Sequence, residues 1–129
     1  MTPSELEAHY RRYLTYLNTN RARELQDFVA DTVTHNGKTL TREQYQDFVA
    51  GNFKCFSTID IAPELIVAND DQVACRIKFS NCKLEKELFG CQPTGRVFDM
   101  VEHVFYRFQE GKIVEVQSLV DEIALREQR

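Results

Sequence analysis

Glu102 and His103 are adjacent near the end of the chain, and His35, Asn36 and Asp121 are other polar residues of types that suit proton transfer at carbon. A carboxyl or an imidazole removes a proton beside a carbonyl when its surroundings bring its pKa toward neutrality. Alternation along a strand places neighbours on opposite faces, so Glu102 and His103 cannot both line one pocket. With a glycine-type bulge at Gly111, Phe108 pairs with Lys112, Val104 with Val116 and Glu102 with Ser118. One face then carries Phe98, Met100, Glu102, Val104, Tyr106, Val114, Val116, Ser118 and Val120. It is almost wholly apolar, so it reads as the inner face, with Glu102 its only charge. An acid there has a raised pKa, because desolvation disfavours the charged form. The competing reading makes Glu102 a cap at the sheet edge, or a partner of Arg76 or Arg96.

His103 then points outward and is either a proton shuttle or a residue of a subunit contact, although one undetected bulge would exchange it with Glu102. His35 either lines the pocket or sits in the turn beside Asn36. Asn36 either donates to an enolate oxygen or simply makes the Asn-Gly turn. Asp121 either holds a histidine in one tautomer or caps the strand end. His9 falls on a helix flank and is expected to be solvated. Phe53, Phe56, Phe79, Phe89 and Tyr106, with Ser118, are candidate contacts for a flat hydrophobic ligand; aromatics at such spacings also fill ordinary cores. Arg107 and Glu115 lie diagonally across the hairpin and suit an outer ion pair.

The elements that must position these residues are legible. Thr2-Pro3-Ser4-Glu5 is a capping box with proline in the first turn, opening a helix with Leu6, Tyr10, Tyr13, Leu14 and Leu17 on one face. A short second helix is expected over 21–29, a strand over 31–35 and a turn at Asn36-Gly37-Lys38. Thr41-Arg42-Glu43-Gln44 opens another helix, with Tyr45, Phe48, Val49 and Phe53 on its apolar side. From Ser57 the period becomes two. A strand over 59–67 contains Pro63, which marks an edge or a bulge. Strand 72–83 follows the turn Asn69-Asp70-Asp71. Residues 84–95 are a loop long enough to be a lid, and 96–108 with 112–121 form the last hairpin. Helices first and antiparallel strands after give an α+β fold in one domain, 1–129, with the N-terminal helices on one face of the sheet.

Bulk properties exclude several partners. The formal net charge is −4 and no basic run exceeds Arg11-Arg12, so nucleic acid and acidic membranes are not expected. The apolar runs are too short to span a bilayer. Cys55, Cys75, Cys82 and Cys91 form no C-x-x-C pair. With Met1 followed by Thr2, Pro3, Ser4 and Glu5 and no signal segment, they read as reduced thiols in a cytoplasmic protein. His9, His35 and His103 lack metal-ligand spacing, so no metal is expected. Neither a G-x-S-x-G elbow nor a glycine-rich phosphate loop is present.

Three blocks resemble one family. Gly90-Cys91-Gln92-Pro93-Thr94-Gly95-Arg96 resembles the G-x-x-P-T-G-[KR] loop of SnoaL-like polyketide cyclases. Tyr106 to Glu115, YRFQEGKIVE, resembles their hairpin, and Phe28 to His35, FVADTVTH, resembles the start of their first strand. The resemblance implies a strongly curved antiparallel sheet, a cone-shaped barrel enclosing a pocket closed by the helices. It implies cofactor-free acid–base chemistry on a polyketide-like carbonyl substrate, by cyclisation, isomerisation or dehydration, in a homodimer or higher oligomer. The family's last strand carries a Trp-Asp pair whose Asp is the usual base. Here those positions are Gln117-Ser118, while Val104 stands where a facing Asp or His is often found. Asp121 matches a later acidic position. The lost aspartate leaves open a domain that binds without chemistry. The wider nuclear transport factor 2-like superfamily also supports epoxide hydrolysis, but that needs an Asp-Arg-Asp arrangement around a water.

Overall fold

At the N-terminus, Thr2 Oγ1 accepts from the Glu5 backbone N–H (3.2 Å), and Glu5 Oε1 accepts from Thr2 N–H (2.8 Å). Two donors that helix geometry orphans are thereby satisfied. The computed structural model, which describes residues 1–128, begins its first helix there: α1 (Pro3–Asn18), burying Leu6, His9, Tyr10, Tyr13 and Leu14. His9 is buried, not solvated as expected. Its Nε2 donates to the Gly111 carbonyl (2.7 Å), so Nδ1 accepts from Arg12 Nη2 (3.1 Å). Desolvation and then nearby cations hold its pKa down against the Gly111 bond, which raises it. The neutral ring thus pins α1 to the last hairpin.

The helix expected over 21–29 does not form; the segment runs through turns. Its apolar spacing serves tertiary packing instead. Leu25 and Phe28 are buried, and Gln46 Oε1 accepts from Leu25 N–H (3.0 Å). So short an isolated helix gains too little from its own hydrogen bonds. β1 (Val29–His35) and β2 (Lys38–Thr41) follow. They are joined by Asn36 and Gly37, at φ 47° and 83°, the two left-handed positions that a tight hairpin turn demands. β2 had no signal in the sequence, because four residues are too few to show alternation. Thr41 and Gln44 form the expected capping box of α2 (Arg42–Phe53).

The remaining elements are β3 (Phe56–Ala68), β4 (Gln72–Leu84), β5 (Phe98–Gln109), β6 (Lys112–Val120) and α3 (Glu122–Glu127). The strand order is β2-β1-β6-β5-β4-β3. β3 is an edge strand with a register shift just after Pro63, where a missing N–H does least harm. Two features depart from the expected cone. β1 runs parallel to β6, so the sheet is mixed rather than antiparallel. β2 and β3 never meet, so the sheet is open and not a barrel. α1 packs on β3 and β4, and α2 on β1, β2 and β3, covering the concave side.

The last hairpin also differs from its expected pairing. Glu110 and Gly111 both have positive φ (52° and 77°), and Gln109 pairs with Lys112. This is a two-residue turn without a bulge at Gly111. The irregularity falls one step later, between the pairs Phe108–Ile113 and Arg107–Glu115, so Val114 is the extra residue. Ile113, fully buried, replaces Val114 on the inner face. Val104 stands opposite Ser118 and Glu102 opposite Val120, two positions from the expected register. A shift of two preserves alternation, so the inner face of β5 is unchanged.

Candidate active site

The concave side of the sheet encloses a cavity between α1, α2 and the 85–97 connection. The space open to the centres of water molecules is about 90 Å³. Its walls are mainly apolar: Ile77 from β4, Met100 and Val104 from β5, Val116 and Val120 from β6, and aromatic rings around them. Phe53 and Phe56 enter from the end of α2 and the start of β3, Phe79 from β4 and Tyr106 from β5. Phe89 enters from the connection. The connection narrows to a small hairpin tip, where Leu88 and Cys91 exchange backbone hydrogen bonds (3.1 and 2.9 Å). Phe89 takes the left-handed region there (φ 53°), a conformation unfavourable for a bulky side chain.

Glu102 projects from β5 into this cavity. Its strand partners are Ile77 on β4 and Val120 on β6, neither of which has a side-chain donor. Arg76 lies on the other face, where it meets Glu64 (3.5 Å) and His103 (2.8 Å). Arg96 belongs to the connection and forms no ion pair with Glu102. The carboxyl therefore has no hydrogen-bond or salt-bridge partner among the described residues. Burial alone pushes its pKa up to about 7. An acid poised there is half ionised at neutral pH and can both take and return a proton.

Three phenols share the space. Tyr13 from α1 and Tyr45 from α2 bring their hydroxyl oxygens to 2.7 Å, and Tyr106 accepts a long bond from Tyr10 (3.5 Å). Burial raises the pKa of all four tyrosines, so they are neutral donors at physiological pH. His35, at the end of β1, lines the cavity beside Tyr45 and Phe48, with ring centroids 6.1 and 4.9 Å away. Burial lowers its pKa, against a bond to its own backbone, so it is neutral too. Ser118 completes the lining from β6.

Three expected site residues are elsewhere. His103 is exposed on the outer face with Arg76, as alternation requires, and has no access to the cavity. Asn36 uses its amide on the backbone of Ser118, accepting from N–H (2.8 Å) and donating to C=O (3.3 Å). It is a clamp between β1 and β6 and does not line the cavity. Asp121 caps α3, accepting from Ala124 N–H (3.0 Å). It ends the strand by starting a helix that the sequence reading did not include. Arg107 and Glu115 form the outer ion pair (3.3 Å), directly opposite each other rather than diagonal. Conversely, Tyr13, Tyr45 and Asn52 line the cavity without having been singled out. The available signal was tyrosine, not phenylalanine, on the apolar faces of both helices.

No group of three His, Cys, Asp or Glu among the described residues is arranged to hold a metal ion. No helix among them is long and apolar enough to cross a membrane.

Residues 7–129 match the family model for SnoaL-like polyketide cyclases. Among solved structures, a SnoaL-like polyketide cyclase from Agrobacterium tumefaciens superimposes with a TM-score of 0.90 at 31% identity, covering 99% of this chain and 98% of that one. IdmH from Streptomyces antibioticus, a proposed polyketide cyclase, gives 0.76 at 22% identity over 99% and 98% of the two chains. AclR from Streptomyces galilaeus, a proposed hydroxylase, gives 0.79 at 21% over 98% and 96%. These last two likenesses concern the fold alone. No curated protein matches the sequence.

Proposed function

The chain belongs to the SnoaL-like polyketide cyclase family, and on that premise we propose that it is a cofactor-free enzyme moving a proton to or from carbon in a hydrophobic carbonyl substrate. Glu102 is the base. The observation that carries this reading is its carboxyl, half-buried in the wall of an apolar cavity, with no partner among the described residues and a pKa brought to about 7. A group so placed costs stability and has no structural return. Ser118, at the position of the family's usual aspartate, lies on the same inner face, one row along from the Glu102–Val120 pair. The acid has in effect moved to the neighbouring strand, with the same cavity before it.

Glu102 takes a proton from the carbon beside the carbonyl. The C–H electron pair becomes the enolate double bond, and the charge rests on oxygen. The enolate then attacks a second carbonyl, expels a leaving group or is reprotonated by Glu102 at another carbon. Cyclisation, dehydration and isomerisation share that first step. The aromatic walls, Phe53, Phe56, Phe79, Phe89 and Tyr106, suit a flat hydrophobic substrate. Asp-Arg-Asp epoxide chemistry is not favoured, because no arginine and a single carboxylate line the cavity among the described residues.

The test is deuterium uptake. With a panel of β-dicarbonyl and aryl ketone compounds in D2O, the protein is expected to exchange hydrogen beside the carbonyl of those it binds. Binding of several panel members with no exchange in any would leave the rival reading, a small-molecule-binding domain, which the replacement of the usual aspartate by Ser118 favours.

We also propose that two copies pair through the outer face of the sheet. Leu65, Val67, Phe105 and Leu119 are 59%, 58%, 62% and 73% exposed. Val67, Ala74, Phe105 and Gln117 form one cross-strand row, and Leu65, Arg76, His103 and Leu119 the next. An apolar patch of this kind on an uncovered sheet marks an association surface. Sedimentation is expected to show a dimer that Phe105→Glu with Leu119→Glu converts to monomer. A doubly substituted protein that still sediments as a dimer contradicts this interface.

A further inference from the structure

The two phenols held 2.7 Å apart at the helix-side wall of the cavity have one hydrogen more than their mutual bond uses. Each hydroxyl carries a single hydrogen and can also accept. One hydrogen is spent between Tyr13 and Tyr45, whichever donates. The other has no acceptor among the described residues, although both side chains are almost wholly buried (1% and 3% exposed). A buried polar hydrogen without an acceptor is costly, and both tyrosines line the cavity that Glu102 shares. The pair comes from the helices and the carboxyl from the sheet, so a molecule filling the cavity would meet both.

We propose that Tyr13 and Tyr45 form an oxyanion-binding subsite that receives the enolate or phenolate oxygen of the bound molecule. The inference rests on Glu102 as the base, and it identifies the ligand class as a carbonyl compound whose oxygen becomes anionic. When the carbon gives its proton to Glu102, the charge appears on the oxygen facing the pair. The phenol that accepts from its neighbour is the better donor for it, since bonds in a chain polarise one another. Donors fixed in advance where charge develops need no reorganisation at the moment of reaction. Both phenols are kept neutral by burial, as a donor must be.

The probe is 4-nitrophenol, whose visible absorption separates phenol from phenolate. Glu102→Gln serves as the background, because its amide imitates the protonated base and removes a competing negative charge. In that protein the bound probe is expected to ionise more readily than the free one, with roughly tenfold or more phenolate over phenol at equal pH. Tyr13→Phe with Tyr45→Phe is expected to abolish that excess. The double replacement removes both partners of one bond and leaves no orphan, so folding is expected to survive. Each single replacement leaves one phenol and part of the effect, and Tyr16→Phe, on α1 but outside the cavity lining, leaves all of it. A probe that does not bind, that binds without extra ionisation, or whose ionisation survives loss of both phenols overturns the subsite. If instead the phenolate is stabilised but Glu102→Gln exchanges deuterium as fast as the parent, the subsite stands and the base is wrong.

Discussion

Glu102→Gln is expected to exchange deuterium into a bound carbonyl compound roughly 10²–10⁴ times more slowly than the parent, the usual contribution of a positioned general base. Glutamine keeps the length and shape of the side chain, so binding is expected to change little and the loss to fall on the rate of the bound complex. The pH dependence gives the expectation its signature. Only the ionised carboxyl accepts a proton. The parent rate should therefore rise with pH and level off above a midpoint near 7, the value to which burial brings Glu102. The residual rate of the variant should lack that step. Among the described residues His35 is the other titratable group in the cavity outside the phenols, but burial moves its midpoint below the ordinary histidine value. A step that survives in Glu102→Gln and disappears in His35→Gln would transfer the role to His35.

The same substitution is expected to make the protein more stable, by roughly 2–3 kcal/mol at pH 8. The carboxyl's pKa rises from its ordinary value of 4.5 to about 7 on folding. Between those values the folded state binds more protons than the unfolded state, so stability falls as pH rises through the window. Below about pH 4.5 both states hold a neutral acid, and Glu102→Gln should then offer no advantage. Above pH 7 folding carries the cost of an unpaired, half-buried charge, which the amide does not have. Denaturant unfolding of the two proteins from pH 4 to 8 measures the difference directly. His9 and His35 shift the opposite way, with folded pKa values lowered by burial. Their stabilisation is present above the ordinary histidine range and is lost as pH falls, but it is common to both proteins and cancels. A variant that gains stability while losing rate marks a residue retained for chemistry rather than for the fold.

Local signals carried far in this chain, and they failed where tertiary structure decides. Both capping boxes formed at the residues whose types require them, because capping is settled within four residues. Glu102 was recognised as the lone charge of an apolar face, and that survived a hairpin register wrong by two, since alternation has period two. The register itself depended on whether the turn at Glu110-Gly111 contained a bulge, and neighbouring residues do not determine that. The parallel pairing of β1 with β6 joins the two ends of the chain and has no local trace. Asn36 reads in the sequence as an enolate donor or as part of the Asn-Gly turn, and the turn forms; its role as a clamp on Ser118 exists only because of that long-range pairing. Tyr13 and Tyr45 lie 32 residues apart on separate helices. Each fits its own apolar stripe, so nothing local distinguishes a hydroxyl directed at a cavity from one at the edge of a core.

The most direct test of the site is the titration of the Glu102 side-chain carboxyl, followed by carbon-detected NMR on protein labelled at glutamate, with Glu102→Gln assigning the signal. The expected result is a midpoint near 7, well separated from the other glutamates. A midpoint in the ordinary range near 4.5 would mean that the carboxyl is solvated or paired in solution, and the proposed base, its pH–rate step and the stability gain would all be contradicted together.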